Sequence, residues 1–163
     1  MFSRILVVTL WCALLPASVA VAAADWPQFR GPTGDGLAVT TNPPLTWNPT
    51  QNVAWKVSVP GRGRSSPVIL GDRIWLTTAL ETGVKTFAEG PDRMQQAERV
   101  VIGVVCLDRA TGNQLYHVDL FPVDKPTAVN FLNSYATPTP VVEPGRLYCD
   151  FGTFGTACLD SAT

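Results

Sequence analysis

One pattern is written twice along the chain. When Pro67 is laid on Pro140, PVILGDRIWL (67–76) aligns with PVVEPGRLYC (140–149) over ten residues without a gap, and downstream CLDRATG (106–112) is echoed by CLDSAT (158–163). Each copy opens with a β-branched run, turns at Gly71-Asp72 or Pro144-Gly145, and restarts with Arg, an aliphatic residue and an aromatic one. That order is hairpin chemistry. A sheet repeated in tandem has two apolar faces and cannot cover either alone, so neighbouring copies must cover one another. The expectation is an all-β chain.

The offset between copies is 73 residues at the hairpin and 52 at the phrase, so the first unit carries 21 residues that the second lacks. They fall in residues 78–99, a stretch of mixed charge and two glycines that reads as an inserted loop with a helical turn around Arg93 to Arg99. The second unit crosses the same gap with DFGTFGT (150–156), a tight hairpin. Each unit predicts strand, turn, strand, loop, strand, turn and a fourth strand, which in the first is QLYHVDL (114–120). Four-stranded antiparallel units in tandem suggest blades of a β-propeller. Residues 65–120 then form a first blade and 137–163 an incomplete second. A whole propeller takes about 4–8 blades, so one and a half blades are expected to be the opening of a longer chain.

Upstream, VAWKVSV (53–59) alternates apolar with small or polar residues and predicts a lone strand, one that would close the last blade. Residues 25–52, rich in Pro, Gly, Asn and Thr, lack a sustained period and read as an irregular wrap. Before that, Arg4, an apolar run from Ile5 to Leu15 and small residues up to Ala24 read as a secretory signal peptide, with cleavage after Ala24. The apolar run is too short for a membrane span, which needs about 20 residues. Periplasmic or secreted localisation follows.

With Arg4 removed, eleven Lys and Arg face thirteen Asp and Glu, so no basic field invites nucleic acid. A hydrophobic fraction of 46% against 15% charged suits a packed chain. Cys106, Cys149 and Cys158 remain in the exported part, too few for a dense disulfide framework.

In CLDRATGNQLY, Cys106 is a small residue ending a strand, the Asp108 carboxylate can accept backbone N–H groups across the turn, Thr111 can close it, and Gly112 supplies positive φ. Tyr116 starts the next strand, where an aromatic can lie flat against a neighbouring blade. Cys158, Asp160 and Thr163 repeat the opening of this device. The pattern resembles the A-x-D-x-x-T-G-x-x-x-W tryptophan-docking motif of the pyrroloquinoline-quinone-like (PQQ-like) β-propeller repeat family, with Cys106 for the small residue and Tyr116 for Trp. DWPQFRGPTGDG (25–36), NVAWKVSVPGRGRSSPVI (52–69) and NSYATPTPVV (133–142) extend the resemblance to exported bacterial, BamB-like members.

The resemblance implies either of two functions. BamB-like members bind no cofactor and act as protein-interaction scaffolds, which here would mean a non-catalytic envelope protein whose partners are the remaining blades and envelope proteins. Quinoprotein dehydrogenases hold PQQ and calcium over a catalytic Asp, and the chain would then be a fragment of an alcohol or sugar dehydrogenase. Many of those carry adjacent cysteines at the quinone, whereas no Cys-Cys pair occurs in this sequence. The scaffold, without cofactor, metal or catalytic residue, is therefore the expectation. A carbohydrate-binding propeller ranks behind both.

Other chemistry weighs less. PGRGRSSP (60–67) has the glycines of a phosphate loop but leads into a strand rather than a helix. Asp35 in GPTGDG lacks the ligand ladder of a calcium loop, and His117 is the only histidine. Cys106 and Cys158 suit buried, inert thiols. A turn centred on Thr153-Phe154 would instead set Cys149 opposite Cys158 and allow a cross-strand disulfide.

Overall fold

The computed structural model describes residues 24–38, 43–87, 90 and 93–162. Residues 1–23 of the expected signal peptide and Thr163 lie outside these. The fold is all-β and antiparallel. Strands β1 (Val68–Leu70), β2 (Arg73–Thr82), β5 (Arg99–Asp108) and β6 (Gln114–Asp124) form one four-stranded sheet in the order β1-β2-β5-β6. A second sheet holds β8 (Val141–Glu143), β9 (Arg146–Asp150) and β10 (Thr156–Asp160) in the order β10-β9-β8. Short strands β3 (Lys85–Phe87), β4 (Met94–Gln96) and β7 (Val129–Asn130) make a third.

The sequence repeat is also a repeat of register. Val68, Ile69 and Leu70 pair with Trp75, Ile74 and Arg73, and 73 residues on Val141, Val142 and Glu143 pair with Tyr148, Leu147 and Arg146. Trp75 stands opposite Cys106 just as Tyr148 stands opposite Cys158. Even a turn bond is copied: the Arg109 N–H donates to the Asp72 carbonyl at 2.9 Å, and the Ser161 N–H to the Gly145 carbonyl at 3.3 Å. Two-residue turns of different sequence, Gly71-Asp72 and Pro144-Gly145, separate the strands equally and so impose the same hydrogen-bond phase.

The sheets pack face to face. Because side chains alternate along a strand, Val142, Leu147 and Cys149 leave the second sheet on one side and join Val68, Trp75, Ala79, Ile102, Val104 and Cys106 of the first in a single buried cluster. The opposite side of the second sheet is open: Val141 is 42% and Tyr148 38% exposed, whereas their counterparts Val68 and Trp75 are 0% and 2%. The N-terminal wrap crosses both sheets at matching positions, with Trp26 bridging Ile69 and the Pro27 carbonyl accepting the Val142 N–H at 2.9 Å.

Three expectations are corrected. The insertion is not a loop: β2 and β5 run through it as a ten-residue antiparallel pair from Arg73↔Asp108 to Thr82↔Arg99, and β4 is a strand where a helical turn was expected. The extra residues lengthen the hairpin. Residues 53–59 belong to no sheet, since among the described residues no strand lies beside them to take their hydrogen bonds. Finally, the disulfide is absent, because Cys149 faces Ala157 and Cys158 faces Tyr148. Residues Gly152–Phe154 form a 3-10 turn inside a five-residue connection, which centres the hairpin on Thr153 and shifts register by one. A one-residue slip exchanges faces, so Cys149 is buried, Cys158 exposed, and both thiols are free.

Candidate docking site

The first phrase is a self-contained turn. Asp108 Oδ1 accepts the Thr111 N–H at 2.8 Å and the Thr111 hydroxyl at 2.7 Å, and Thr111 Oγ1 accepts the Asn113 N–H at 3.2 Å. The Gly112 N–H closes on the Asp108 carbonyl at 2.8 Å. These donors, the Thr111 hydroxyl first, hold the Asp108 carboxyl below its usual range, because hydrogen bonds to the ionised form favour it. Both bonds fall on Oδ1 and stay within the turn.

A partner unrecognised in the sequence lies on this turn. Trp55 Nε1–H donates to the Arg109 carbonyl at 2.9 Å across 54 residues, and its ring covers Gly112 so closely that a Cβ there would stand 2.5 Å from Trp55 Cε3. Gly112, at φ 74°, therefore serves both the turn and the approach of the indole. The spacing of the phrase gives no hint of a ligand so far upstream.

Tyr116 stands opposite Cys106 and stacks on Trp75, the ring centroids 6.1 Å apart and the planes within 10°. The Arg73 guanidinium lies 5.4 Å over the Tyr116 ring and donates to the Ser161 carbonyl and, at 2.9 Å, to the Ala162 carbonyl. Ser161 holds in the second phrase the place of Arg109 in the first. A tyrosine ring has no N–H to offer that carbonyl, and the guanidinium stacked on it supplies one. Asp160 begins the same turn as Asp108, its Oδ1 accepting the Ala162 N–H at 2.7 Å. Cys106 is sealed beneath, and burial pushes its thiol up to about 11.

The long hairpin ends in a second cluster. Arg62 donates to the carbonyls of Phe131 at 2.7 Å and Asn133 at 3.0 Å and lies 3.7 Å from Glu81, whose carboxyl is raised by burial against the opposing pull of Arg62. Tyr135 Oη accepts the Ala97 N–H at 3.3 Å and donates to the Thr127 carbonyl at 3.1 Å, while Arg93 sits 3.9 Å over the Phe131 ring. These contacts tie the insertion to the connection between sheets. They also dispose of a phosphate loop: a Cβ at Gly61 or Gly63 would meet Thr78 Oγ1 or the Thr77 carbonyl at 2.5 Å, so the glycines permit contact with β2.

Open clefts of about 680, 370 and 410 Å³ lie at Pro43–Leu45 with Asn52–Ala54, at Lys85 with Gln96–Glu98 and Lys125, and at Pro144–Arg146 with Cys158–Asp160. Among the described residues no group of three or more His, Cys, Asp or Glu is placed to hold a metal ion. Half-buried His117 on β6 makes a 3.4 Å contact with exposed Asp119, and Asp35 accepts the Thr33 hydroxyl at 2.6 Å inside its own turn. No family model, curated protein or solved structure matches the chain.

Proposed function

We propose that the chain is an exported protein of PQQ-like β-propeller repeats, acting in the periplasm or cell envelope as a non-catalytic scaffold for protein interaction. The observation that carries this reading is the use made of the phrase: Asp108 closes its own turn through Thr111, while the Arg109 carbonyl and Gly112 of that turn receive Trp55. Such a device attaches a neighbouring segment to a sheet. Asp108 and Thr111 serve turn closure and Arg73 spans from the first sheet to the second phrase, and open sheet faces are where partners would bind.

Two experiments test it. A fusion of residues 1–30 to a periplasm-dependent reporter enzyme should give activity that is lost on substituting charged residues into the Ile5–Leu15 run. Incubation of the exported protein with PQQ and calcium should give no alcohol- or sugar-dependent dye reduction. Dye reduction that requires the quinone would replace the scaffold with the dehydrogenase.

A further inference from the structure

The residues on either side of the expected cleavage point are bound by strands that follow much later in the chain. The Trp26 N–H donates to the Ile69 carbonyl and the Ile69 N–H to the Trp26 carbonyl, both at 2.8 Å, so Trp26 extends the first sheet beyond β1. One residue on, the Pro27 carbonyl accepts the Val142 N–H of β8 at 2.9 Å. One residue back, Asp25 Oδ1 accepts the Gly71 N–H at 2.8 Å. Arg109 completes the hold, its guanidinium donating to the Ala24 carbonyl at 3.3 Å and to the Gly71 carbonyl at 3.1 Å. Each residue from Ala24 to Pro27 is thus bonded to the first hairpin, to the first phrase or to the second sheet. The Trp26 indole is packed from its own side as well, since a Cβ at Gly31 would stand 2.7 Å from Trp26 Cζ3.

An endopeptidase needs the opposite arrangement. It takes the residues around the scissile bond into its cleft as an extended strand and pairs with their N–H and C=O groups itself. Ala24 and Asp25 are on the surface, but the carbonyl of the bond between them is held by Arg109, and the main chain at Trp26 is fully used by Ile69. Cleavage of such a segment proceeds through local opening and is slowed by the fraction of time that it stays closed.

The seats of this segment leave a membrane after the segment itself. Gly71 follows Asp25 by 46 residues and Arg109 follows Ala24 by 85, with Val142 later still. We propose that residues 24–27 are a strap that closes the signal-peptide cleavage site: the Ala24–Asp25 bond is open to the peptidase while the chain emerges and shut once the first two hairpins have folded. This rests on the reading of the chain as exported. Only the Arg109 bond to Ala24 is lost on cleavage, so the strap also docks in the cut chain, with Asp25 as its amino terminus. A copy that folds first keeps its signal peptide, and a copy cut first is released. The order of two events decides between a tethered and a free protein.

The full chain, unfolded in urea and diluted into detergent with signal peptidase either at once or after refolding, tests the strap. The first sample should be cut between Ala24 and Asp25, and the second at least about tenfold more slowly. Ile69→Pro removes the N–H that bonds the Trp26 carbonyl and leaves the β1–β2 bonds, because that N–H points away from β2. Combined with Arg109→Ala, it should make the refolded chain as cleavable as the unfolded one, with an unchanged far-ultraviolet spectrum. Independently of folding in that variant, hydrogen exchange in refolded wild type should find the Trp26 and Val142 amides protected while the signal peptide is still attached. A refolded wild type cut as fast as the unfolded chain, a Trp26 amide that exchanges freely, or a folded double variant that stays uncut would each overturn the strap and leave the export reading standing. An unfolded chain that the peptidase never cuts after Ala24 would overturn the export reading, and the strap with it.

Discussion

The indole N–H of Trp55 and the carbonyl of Arg109 are 2.9 Å apart, although 54 residues separate them in the chain. This bond and the ring contact on Gly112 attach the N-terminal arm to the first sheet. Trp55→Phe keeps most of the ring and loses the donor, and should cost about 1 kcal/mol in chemical denaturation. Gly112→Ala, which adds a Cβ under the ring at positive φ, should cost about 1–3 kcal/mol, and less in a Trp55→Ala background where the ring is gone. Equal penalties in both backgrounds would detach the glycine from the indole.

Arg73 does for the second phrase what the indole does for the first. Arg73→Met should destabilise by about 2 kcal/mol, the scale of hydrogen bonds from a charged donor. Adding Tyr116→Trp should recover part of the loss, because its Nε1–H can serve the Ser161 carbonyl. Thermal denaturation of the four variants of this cycle reads the coupling, and additive losses would contradict the substitution of one donor for the other.

Asp108 has its folded-state carboxyl held down by the Thr111 hydroxyl and N–H. An acid depressed in the folded state contributes stability that is present above its unfolded value near 3.8 and is lost as pH falls through the lower folded value. The melting temperatures of wild type and Asp108→Asn should differ at neutral pH and converge in acid. Parallel curves across the whole range would mean that the carboxylate charge contributes nothing to the turn.

Glu81 carries the opposite sign. Burial raises its carboxyl, so the folded state binds a proton more tightly than the unfolded state and stability grows as pH falls through the raised value. Glu81→Gln is expected to raise the denaturation midpoint at pH 7, with the gain vanishing below the ordinary carboxylate range. A lower midpoint at pH 7 would show that attraction to Arg62 outweighs burial.

The thiols should alkylate in a fixed order. Exposed Cys158 reacts first; Cys106 and Cys149, buried and with thiols pushed up to about 11 and about 12, follow only on unfolding. Peptide mass mapping after timed alkylation checks the order, and a Cys149–Cys158 disulfide peptide from native protein would contradict the register.

The two hairpins were legible because β-branched runs, turn residues and the Arg-aliphatic-aromatic restart all point to the same strands, and the four-stranded order of the first sheet follows. The insertion was not, since β3 and β4 are three residues each and Glu98, Lys85 and Gly83 mask any period of two. Alternation in 53–59 marks a segment fit for a sheet but cannot supply the neighbour that makes it one. The docking turn was readable from Asp108, Thr111 and Gly112, because its bonds are local. Trp55 and Arg73 were missed as its partners because their bonds span 54 to 89 residues.

The five-residue connection from Phe151 to Gly155 sets a parity for everything after it. Deleting one of its residues would turn Cys158 toward the core and Ala157 and Leu159 toward water, with no cysteine altered. Which thiol an oxidant can reach is thus decided by the length of a turn, and a relative with a shorter one would carry the same cysteines and a different sensitivity to its compartment.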